Sequence, residues 1–189
     1  MIISIGGTIG SGKSTIAKNL AKKLEWPHYY MGGLRREIAK KRGMTLAEYN
    51  KLGEKDPATD LEIDKYQKKL GETKDNFIIE GRTSWYFIPH SLKICIYVDE
   101  KTGAKRVFEE LKKTDQRNED KGLMTFDDVL KSMKKRLQSD KKRYKKYFDI
   151  DVFDKKNYDF TLNTTNLDEK QAFEEVYKFI KTKIQPKNH

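Results

Sequence analysis

The sequence contains a single cysteine and no apolar stretch close to the length that a lipid bilayer requires. With Cys95 alone, an intrachain disulfide framework and a cysteine-rich metal site are both excluded. A spanning helix needs about 20 apolar residues, so we expect no membrane segment and no membrane partner. The first residues run directly into an apolar stretch and a glycine-rich loop, so we expect no signal peptide. We therefore expect a cytoplasmic protein in which Cys95 is a small buried hydrophobe.

Linkers, internal repeats and low-complexity segments are also absent, and 189 residues suit a single domain. Short apolar runs, typical of strands buried on both faces, alternate with helical patterns. This alternation predicts an α/β fold, a three-layer sandwich around a mostly parallel five-stranded sheet. The five predicted strands are residues 2–5, 28–30, 76–80, 92–98 and 158–163.

Capping residues mark several of the predicted helices. Thr45 and Thr125 each begin a capping box, and Pro57 follows an aspartate at the start of another helix. Gly71 is expected to end that helix. Between the second and third strands we therefore predict three short helices, over residues 34–42, 46–54 and 57–70.

Two stretches exceed what a sheet with its covering helices needs. One contains the three short helices, and the other is a highly charged run between two later helices. We expect the first to be a substrate-binding insertion and the second a small lid, both within one domain. The predicted boundaries are residues 32–73 for the insertion, 112–122 for the lid, and 1–31, 74–111 and 123–185 for the core.

The most informative motif is a glycine-rich loop between the first strand and a helical pattern. It has the form G-x-x-x-x-G-K-S and consists of Gly7, Thr8, Ile9, Gly10, Ser11, Gly12, Lys13 and Ser14, followed by Thr15. Backbone N–H groups of such a loop and of the following helix N-terminus converge on phosphate oxygens. We expect Lys13 to contact the β- and γ-phosphates of ATP or GTP and Ser14 to bind Mg²⁺. The loop does not identify the molecule that accepts the γ-phosphate.

An acid and an arginine follow the third predicted strand, where the sequence is Glu80-Gly81-Arg82. Ligands gather at the carboxyl ends of parallel strands, so both side chains are expected to face the glycine-rich loop. Glu80 is a candidate to hold Mg²⁺ through a water, and Arg82 is a candidate to bind an acceptor phosphate. A strand-end turn with a surface ion pair is the alternative that these residues alone leave open.

A long helix predicted from residue 126 carries an acid on its apolar stripe. Asp140 lies where the spacing of three and four predicts a hydrophobe, and Arg136 and Arg143 flank it. A carboxylate that faces the core needs a partner, because an unpaired buried charge is costly. One interpretation is a simple Arg136–Asp140 helix pair. The one we favour is that both arginines hold phosphates while Asp140 holds a ribose hydroxyl.

Taken together, these motifs resemble those of the cytidylate kinases, in particular their short archaeal-type branch, over nearly the whole chain. The resemblance rests on residues 7–15, 32–36 and 42–45, Asp56, Pro57, Asp60 and Asp64, residues 80–82 with Trp85, Arg136, Asp140, Arg143 and Tyr144, and residues 158–159 and 163–165. It implies a P-loop NTPase fold with an NMP-binding helical insertion and a lid. It also implies ATP and Mg²⁺ as cofactors, and CMP and dCMP as acceptors.

The same resemblance implies roles for individual side chains. Arg36 and Arg82 are matched to arginines that meet the acceptor phosphate, and Lys13, Arg82 and Arg136 form the implied catalytic set. The full acceptor set is Arg36, Arg82, Arg136, Asp140 and Arg143, and the lid arginines are Arg106 and Arg117. These positions use six of the eight arginines in a chain with 32 lysines. Met31 and Gly33 depart from the family pattern and leave the base contacts unassigned.

The net charge of +11 keeps other interpretations open. One is a kinase for AMP, UMP or a non-nucleotide such as shikimate. Another is a basic nucleic-acid binder or polynucleotide kinase that uses the lysine-rich run 131–146, and a third is an ATP-binding regulatory module without transfer activity. The aromatic and basic residues do not interleave as in RNA-binding modules, which favours small nucleotides as partners. Nothing in the sequence predicts an oligomeric state.

Overall fold

The computed structural model describes residues 1–113 and 122–184, and every element below lies in these ranges. Strands and helices alternate along the chain, as the sequence predicts. The strands are β1 (Ile2–Gly7), β2 (His28–Tyr30), β3 (Phe77–Glu80), β4 (Leu92–Tyr97) and β5 (Phe160–Asn163). The helices are α1 (Lys13–Leu24), α2 (Met31–Lys41), α3 (Leu46–Gly53), α4 (Ala58–Thr73), α5 (Ser84–Phe87), α6 (Glu100–Lys113), α7 (Phe126–Phe148) and α8 (Glu169–Ile184), with a short 3-10 helix at Lys155–Asn157.

The five strands form one sheet in the order β2-β3-β1-β4-β5, and neighbouring strands run parallel. The predicted α/β fold with a five-stranded sheet is therefore confirmed. β1 is central, between β3 and β4, so the glycine-rich loop that follows it lies at the middle of the sheet's carboxyl edge. Functional side chains that follow other strands meet the loop at this edge.

Two layers of helices cover the sheet. Ile3 and Ile5 of β1 pack with α1 and α8 on one face, whereas Ile2 packs on the other face with α2, α3 and α4. Successive side chains of a strand point to opposite faces, so β1 contributes to both halves of the core. The helices of the predicted insertion thus form part of the second layer.

Local sequence signals set most helix boundaries. The capping boxes at Thr45 and Thr125 are both present, and Cys95 is buried as expected. The expectation that Gly71 ends its helix is wrong, because α4 continues to Thr73. A Cβ atom at Gly71 would lie 2.9 Å from side-chain carbons of Ile88, so the glycine permits a close approach rather than a stop.

No helix within the two described ranges is both long enough and apolar enough to cross a membrane. The predicted lid falls mostly on residues 114–121, which lie outside the described residues.

The first prediction concerns the packing of β1 against β4. Gly7 has a φ of +130°, and a Cβ atom there would lie 1.8 Å from the carbonyl oxygen of Ile96. The change Gly7→Ala is therefore expected to lower the free energy of unfolding by about 3 kcal/mol, measured by urea unfolding without nucleotide.

Gly12→Ala is the matched control. Gly12 also has a positive φ, of +84°, but a Cβ atom at this position would meet no atom of the described residues within 4 Å. Only the backbone strain remains there, about 1–2 kcal/mol. An equal loss of stability in the two variants would contradict the proposed clash.

Candidate active site

A cavity of about 930 Å³ opens at the carboxyl edge of the sheet. It is lined by the glycine-rich loop, by residues of α2 and α4, and by residues 80–83. Its volume is in the range of small-molecule sites. Among the residues that the structure describes, five of the seven arginines line this cavity, namely Arg35, Arg36, Arg82, Arg106 and Arg136.

The glycine-rich loop has the backbone of an anion-binding site. Gly10 and Gly12 adopt positive φ values of +73° and +84°, and Gly12 directly precedes the first residue of α1. A glycine offers no side-chain cap, so the first N–H groups of α1 are available to an anion. Lys13 Nζ donates to the carbonyl oxygen of Thr8 and lies 3.4 Å from Ser11 Oγ. The Lys13 ammonium group therefore contacts the loop whose bound phosphates it is predicted to contact.

Ser14 and Glu80 meet across the gap between α1 and β3. Ser14 Oγ donates a hydrogen bond of 2.8 Å to Glu80 Oε1, and His28 Nε2 lies 3.7 Å from the other carboxylate oxygen. Burial raises the pKa of Glu80, but the imidazole of His28, the charge of Lys13 and the hydroxyl of Ser14 together lower it by more. The net pKa is below the usual value, so Glu80 is an anion at neutral pH.

These two side chains fit the predicted Mg²⁺ site. A hydroxyl and an ionised carboxylate are hard oxygen ligands, and the buried Glu80 Oε2 accepts no hydrogen bond from the described residues. Within those residues, no group of three histidine, cysteine, aspartate or glutamate side chains could bind a metal without help. Such a site suits Mg²⁺, which keeps several waters and shares its ligands with substrate phosphates.

Three of the arginines predicted to bind the acceptor converge from three different elements. Arg36 of α2 donates to Tyr30 Oη at 2.6 Å and to the carbonyl oxygen of Gly32 at 3.1 Å. Arg82 follows β3, and Arg136 projects from α7. All three line the same cavity as the glycine-rich loop, as expected for groups that hold an acceptor phosphate.

The structure places Asp140 and Arg143 differently from the expectation. Their exposed fractions are 1% and 0%, and neither side chain lines the cavity. Arg143 pairs with Asp60 and Asp140, each at 2.5 Å, and Asp140 also lies 3.0 Å from Arg82. Direct contacts of Arg143 with phosphate and of Asp140 with a ribose hydroxyl are not supported by this geometry. The alternative interpretation, a simple Arg136–Asp140 helix pair, is not the arrangement found either. Asp140 forms its ion pairs with Arg82 and Arg143.

Electrostatics keep Asp140 ionised despite its burial. Burial raises the pKa of Asp140, but the charges of Arg82, Arg143 and Arg136 lower it by more. The arginines thus offset the cost of burying the Asp140 carboxylate. Asp140 therefore positions Arg82 beside the cavity.

Sequence reasoning missed Arg35 and gave no role to Asp60, although both belong to the same buried network. Arg35 forms an ion pair with Asp60, donates to Asn50 Oδ1 at 2.8 Å, and lies 4.9 Å from the centre of the Tyr49 ring. A usable signal is present in the sequence, because Asp60 occupies a buried position of α4 in register with Ile63. The register argument that singles out Asp140 applies equally to Asp60.

The two predicted lid arginines have different outcomes. Arg106 of α6 lies against the loop after β5, with donor–acceptor distances of 3.2 Å to Thr164 Oγ1, 2.8 Å to the Thr164 carbonyl oxygen and 3.2 Å to that of Leu167. Its guanidinium is also 3.5 Å from the carbonyl oxygen of Gly10. These contacts connect Arg106 with both the glycine-rich loop and the loop after β5, and its role in a lid stays a prediction. Arg117 lies outside the described residues.

Comparison with known proteins identifies the family. A model of the cytidylate kinase-like family matches residues 2–166. The chain belongs to the cytidylate kinase-like family. The resemblance inferred from the motifs is therefore confirmed over most of the chain.

Curated relatives are similar along almost their full length. A cytidylate kinase of Methanosarcina acetivorans is 33% identical over 177 residues, which cover 92% of this chain and 93% of that protein. A cytidylate kinase of Archaeoglobus fulgidus is 32% identical over 184 residues, covering 97% and 96%.

Solved structures show the same fold. A shikimate kinase of Bacteroides thetaiotaomicron superposes with a TM-score of 0.64 over 96% of this chain and 98% of that chain. At 14% identity, this similarity shows the fold alone.

The second prediction tests the buried ion pairs. Arg143→Met leaves the carboxylates of Asp60 and Asp140 buried with one cation fewer, so we expect it to lower the free energy of unfolding at pH 7 by about 3–5 kcal/mol. The deficit should shrink at acid pH, because the stability due to the lowered pKa of Asp140 is present above its unfolded pKa and is lost as pH falls. Urea unfolding at several pH values measures both effects.

Lys142→Met is the control on the same helix. Lys142 pairs with Glu54 at 2.8 Å, but its side chain is exposed to solvent. Such a surface pair contributes up to about 1 kcal/mol. If the two variants lose similar stability, the buried network is not the stabilising feature argued here.

Proposed function

We propose that this protein transfers the γ-phosphoryl group of ATP to CMP. The observation that carries the proposal is the position of Arg36, Arg82 and Arg136 in one cavity with the phosphate loop. A P-loop on one side and an arginine cluster on the other suit a donor triphosphate and an acceptor that is itself a phosphate. The choice of cytosine as the base of the acceptor rests on the relatives, which are named cytidylate kinases.

The donor side would use the loop of residues 7–15. Lys13 exchanges its contact with the Thr8 carbonyl oxygen for the β- and γ-phosphates when ATP binds. Ser14 and Glu80 would hold Mg²⁺, Glu80 through a water. When held by these residues, the ion would offset the negative charge of the donor phosphates.

The acceptor side would use positioning rather than acid–base chemistry. The attacking phosphate oxygen of CMP is already an anion, so no general base is assigned. Arg36, Arg82 and Arg136 orient that phosphate and offset its charge as it approaches the donor. Asp140 fixes Arg82 from behind, through the ion pair of 3.0 Å.

We also propose dCMP as an acceptor. Asp140, the residue expected to bind a ribose hydroxyl, does not line the cavity. This position gives no reason for the site to require that hydroxyl.

The lysine-rich face of α7 does not favour nucleic acid as the partner. Lys134, Lys142 and Lys145 each lie within 4.0 Å of an acid, namely Glu100, Glu54 and Asp149. Part of the positive charge on this face is thus already compensated. A binding site for a phosphate backbone would instead present its cations to solvent without acidic partners.

The third prediction is the catalytic test of the function. Purified protein with MgATP should produce ADP rapidly with CMP or dCMP, and slowly with UMP, AMP, GMP or no acceptor. Lys13→Met is expected to lower kcat at least about 100-fold, because it removes a cation from the developing charge. Lys22→Met, on the exposed side of the same helix, should leave turnover unchanged. Turnover led by another acceptor, or equal without acceptor, would reject the assignment to CMP.

The fourth prediction separates acceptor binding from ATP binding. Arg36→Ala and Arg82→Ala should each lower kcat/KM for CMP about 10- to 100-fold, since each removes hydrogen bonds to a charged group. Arg82→Ala also removes an ion pair of Asp140, so its stability is measured by urea unfolding as well. Affinity of the folded variants for ATP, measured by calorimetry, should stay near the wild-type value.

Arg42→Ala is the control for these variants, because Arg42 is exposed and does not line the cavity. Wild-type CMP kinetics in either Arg36→Ala or Arg82→Ala would remove that arginine from the acceptor site.

A further inference from the structure

Asp64 lines the acceptor side of the cavity, yet the mechanism above gives it no task. It lies on α4, one turn after Asp60 and one turn before Gln67, and it remains partly exposed. Its Oδ1 atom accepts a hydrogen bond of 3.4 Å from Gln67 Nε2. Asp64 is therefore a polar group that a bound acceptor can contact.

The amide of Gln67 has hydrogen-bond partners at both its oxygen and its nitrogen. Its oxygen accepts a hydrogen bond of 2.6 Å from Ser84 Oγ, and its nitrogen lies 3.3 Å from Thr83 Oγ1. Because the NH₂ group faces Asp64, Oδ1 of that carboxyl is fixed as a hydrogen-bond acceptor. A proton on Asp64 then resides on Oδ2, so the neutral carboxyl presents one acceptor and one donor in a defined order.

The surroundings of Asp64 favour this neutral form. Burial raises the pKa of Asp64 and the charge of Asp60, on the same helix, raises it further, to about 7. Arg35 of α2 and Arg143 of α7 lower the pKa, but both arginines are already paired with Asp60. Because these cations are shared with Asp60, they only partly stabilise the ionised form of Asp64. The carboxyl of Asp64 is therefore protonated in a large fraction of molecules at neutral pH.

We propose that Asp64 determines base specificity by donating from Oδ2 to N3 of cytosine while Oδ1 accepts from the N4 amino group. The proposal rests on the proposed function, since it concerns the acceptor of the same cavity. Cytosine carries a hydrogen-bond acceptor, N3, beside a donor, the amino group, and the neutral carboxyl complements this pair. Uracil carries N3–H beside O4, the reverse order, and is rejected because like groups meet.

This pairing depends on pH, because only the neutral carboxyl of Asp64 can donate a hydrogen bond. The ionised carboxylate has acceptors only, so above pH 7 it repels the N3 lone pair. Between pH 6.5 and pH 9 the neutral fraction falls about 100-fold for a pKa near 7. Wild-type kcat/KM for CMP should therefore fall about 10- to 100-fold over this interval, mainly through a rise in KM.

Asp64→Asn is the decisive variant. Its amide offers a donor and an acceptor at every pH, so its kcat/KM for CMP should stay nearly constant from pH 6.5 to pH 9. The ratio of wild type to Asp64→Asn at each pH cancels effects that the enzymes share, such as titration of the substrate phosphate. Asp64→Ala should lose about 10- to 100-fold of the preference for CMP over UMP at pH 6.5.

A second readout does not require activity. The raised pKa of Asp64 means that the folded protein loses stability as pH rises from about 4, the unfolded pKa, to about 7. Asparagine lacks this penalty, so the Tm of Asp64→Asn relative to wild type should increase between pH 5 and pH 8. Glu62→Gln, on the exposed side of the same helix, should match wild type in both Tm and kinetics.

The outcomes separate this inference from the proposed function. If wild type phosphorylates CMP but its ratio to Asp64→Asn is the same at every pH, or if Asp64→Ala keeps the preference for CMP over UMP, the role of Asp64 is wrong and the function stands. If wild type produces no ADP with CMP at any pH, both are wrong.

Discussion

The arrangement of the cavity depends on a buried chain of alternating charges, Arg35–Asp60–Arg143–Asp140–Arg82. It joins α2, α4, α7 and the turn after β3, which are far apart in sequence. Desolvating ions costs several kcal/mol each, and the cost is offset only when every charge has its partner. Each carboxylate here lies between two arginines, so the chain is stable as a whole and unstable if one member is removed. The relative positions of three helices and one strand end are thereby fixed together.

The chain of charges also decides the electrostatics of the site. Three cations and two anions leave one positive charge in excess. The two arginines at the ends of the chain, Arg35 and Arg82, both line the cavity, as do Arg36 and Arg136. An acceptor phosphate therefore meets cations whose positions are set before it binds, which lowers the reorganisation needed during transfer. Burial and the charge of Asp60 raise the pKa of Asp64, one turn further along α4, by more than Arg35 and Arg143 lower it.

Features with local causes could be predicted from the sequence, whereas contacts between distant segments could not. The phosphate loop, the capping boxes at Thr45 and Thr125 and the five strands follow from residues within a few positions of each other. Helix register indicates that Asp140 faces inward, but its partners cannot be deduced from register, since Arg82 belongs to another element. Asp60 likewise meets Arg143 over a separation of 83 residues. The prediction for Gly71 fails for the same reason, because the residue that requires a glycine there is Ile88, which follows β3 and α5.

The division between arginine and lysine follows from the same buried charges. A lysine-dominated sequence with few arginines suggests that guanidinium groups are kept for phosphate, but Arg35 and Arg143 are 7% and 0% exposed and bind carboxylates. A guanidinium is weakly hydrated and holds two acceptors at once, so it can bridge buried aspartates where a lysine ammonium would remain partly unsatisfied. Phosphate binding and internal bridging need the same planar group. Arginine is therefore concentrated on the boundary between core and cavity, and the lysines lie mostly on the outer surface.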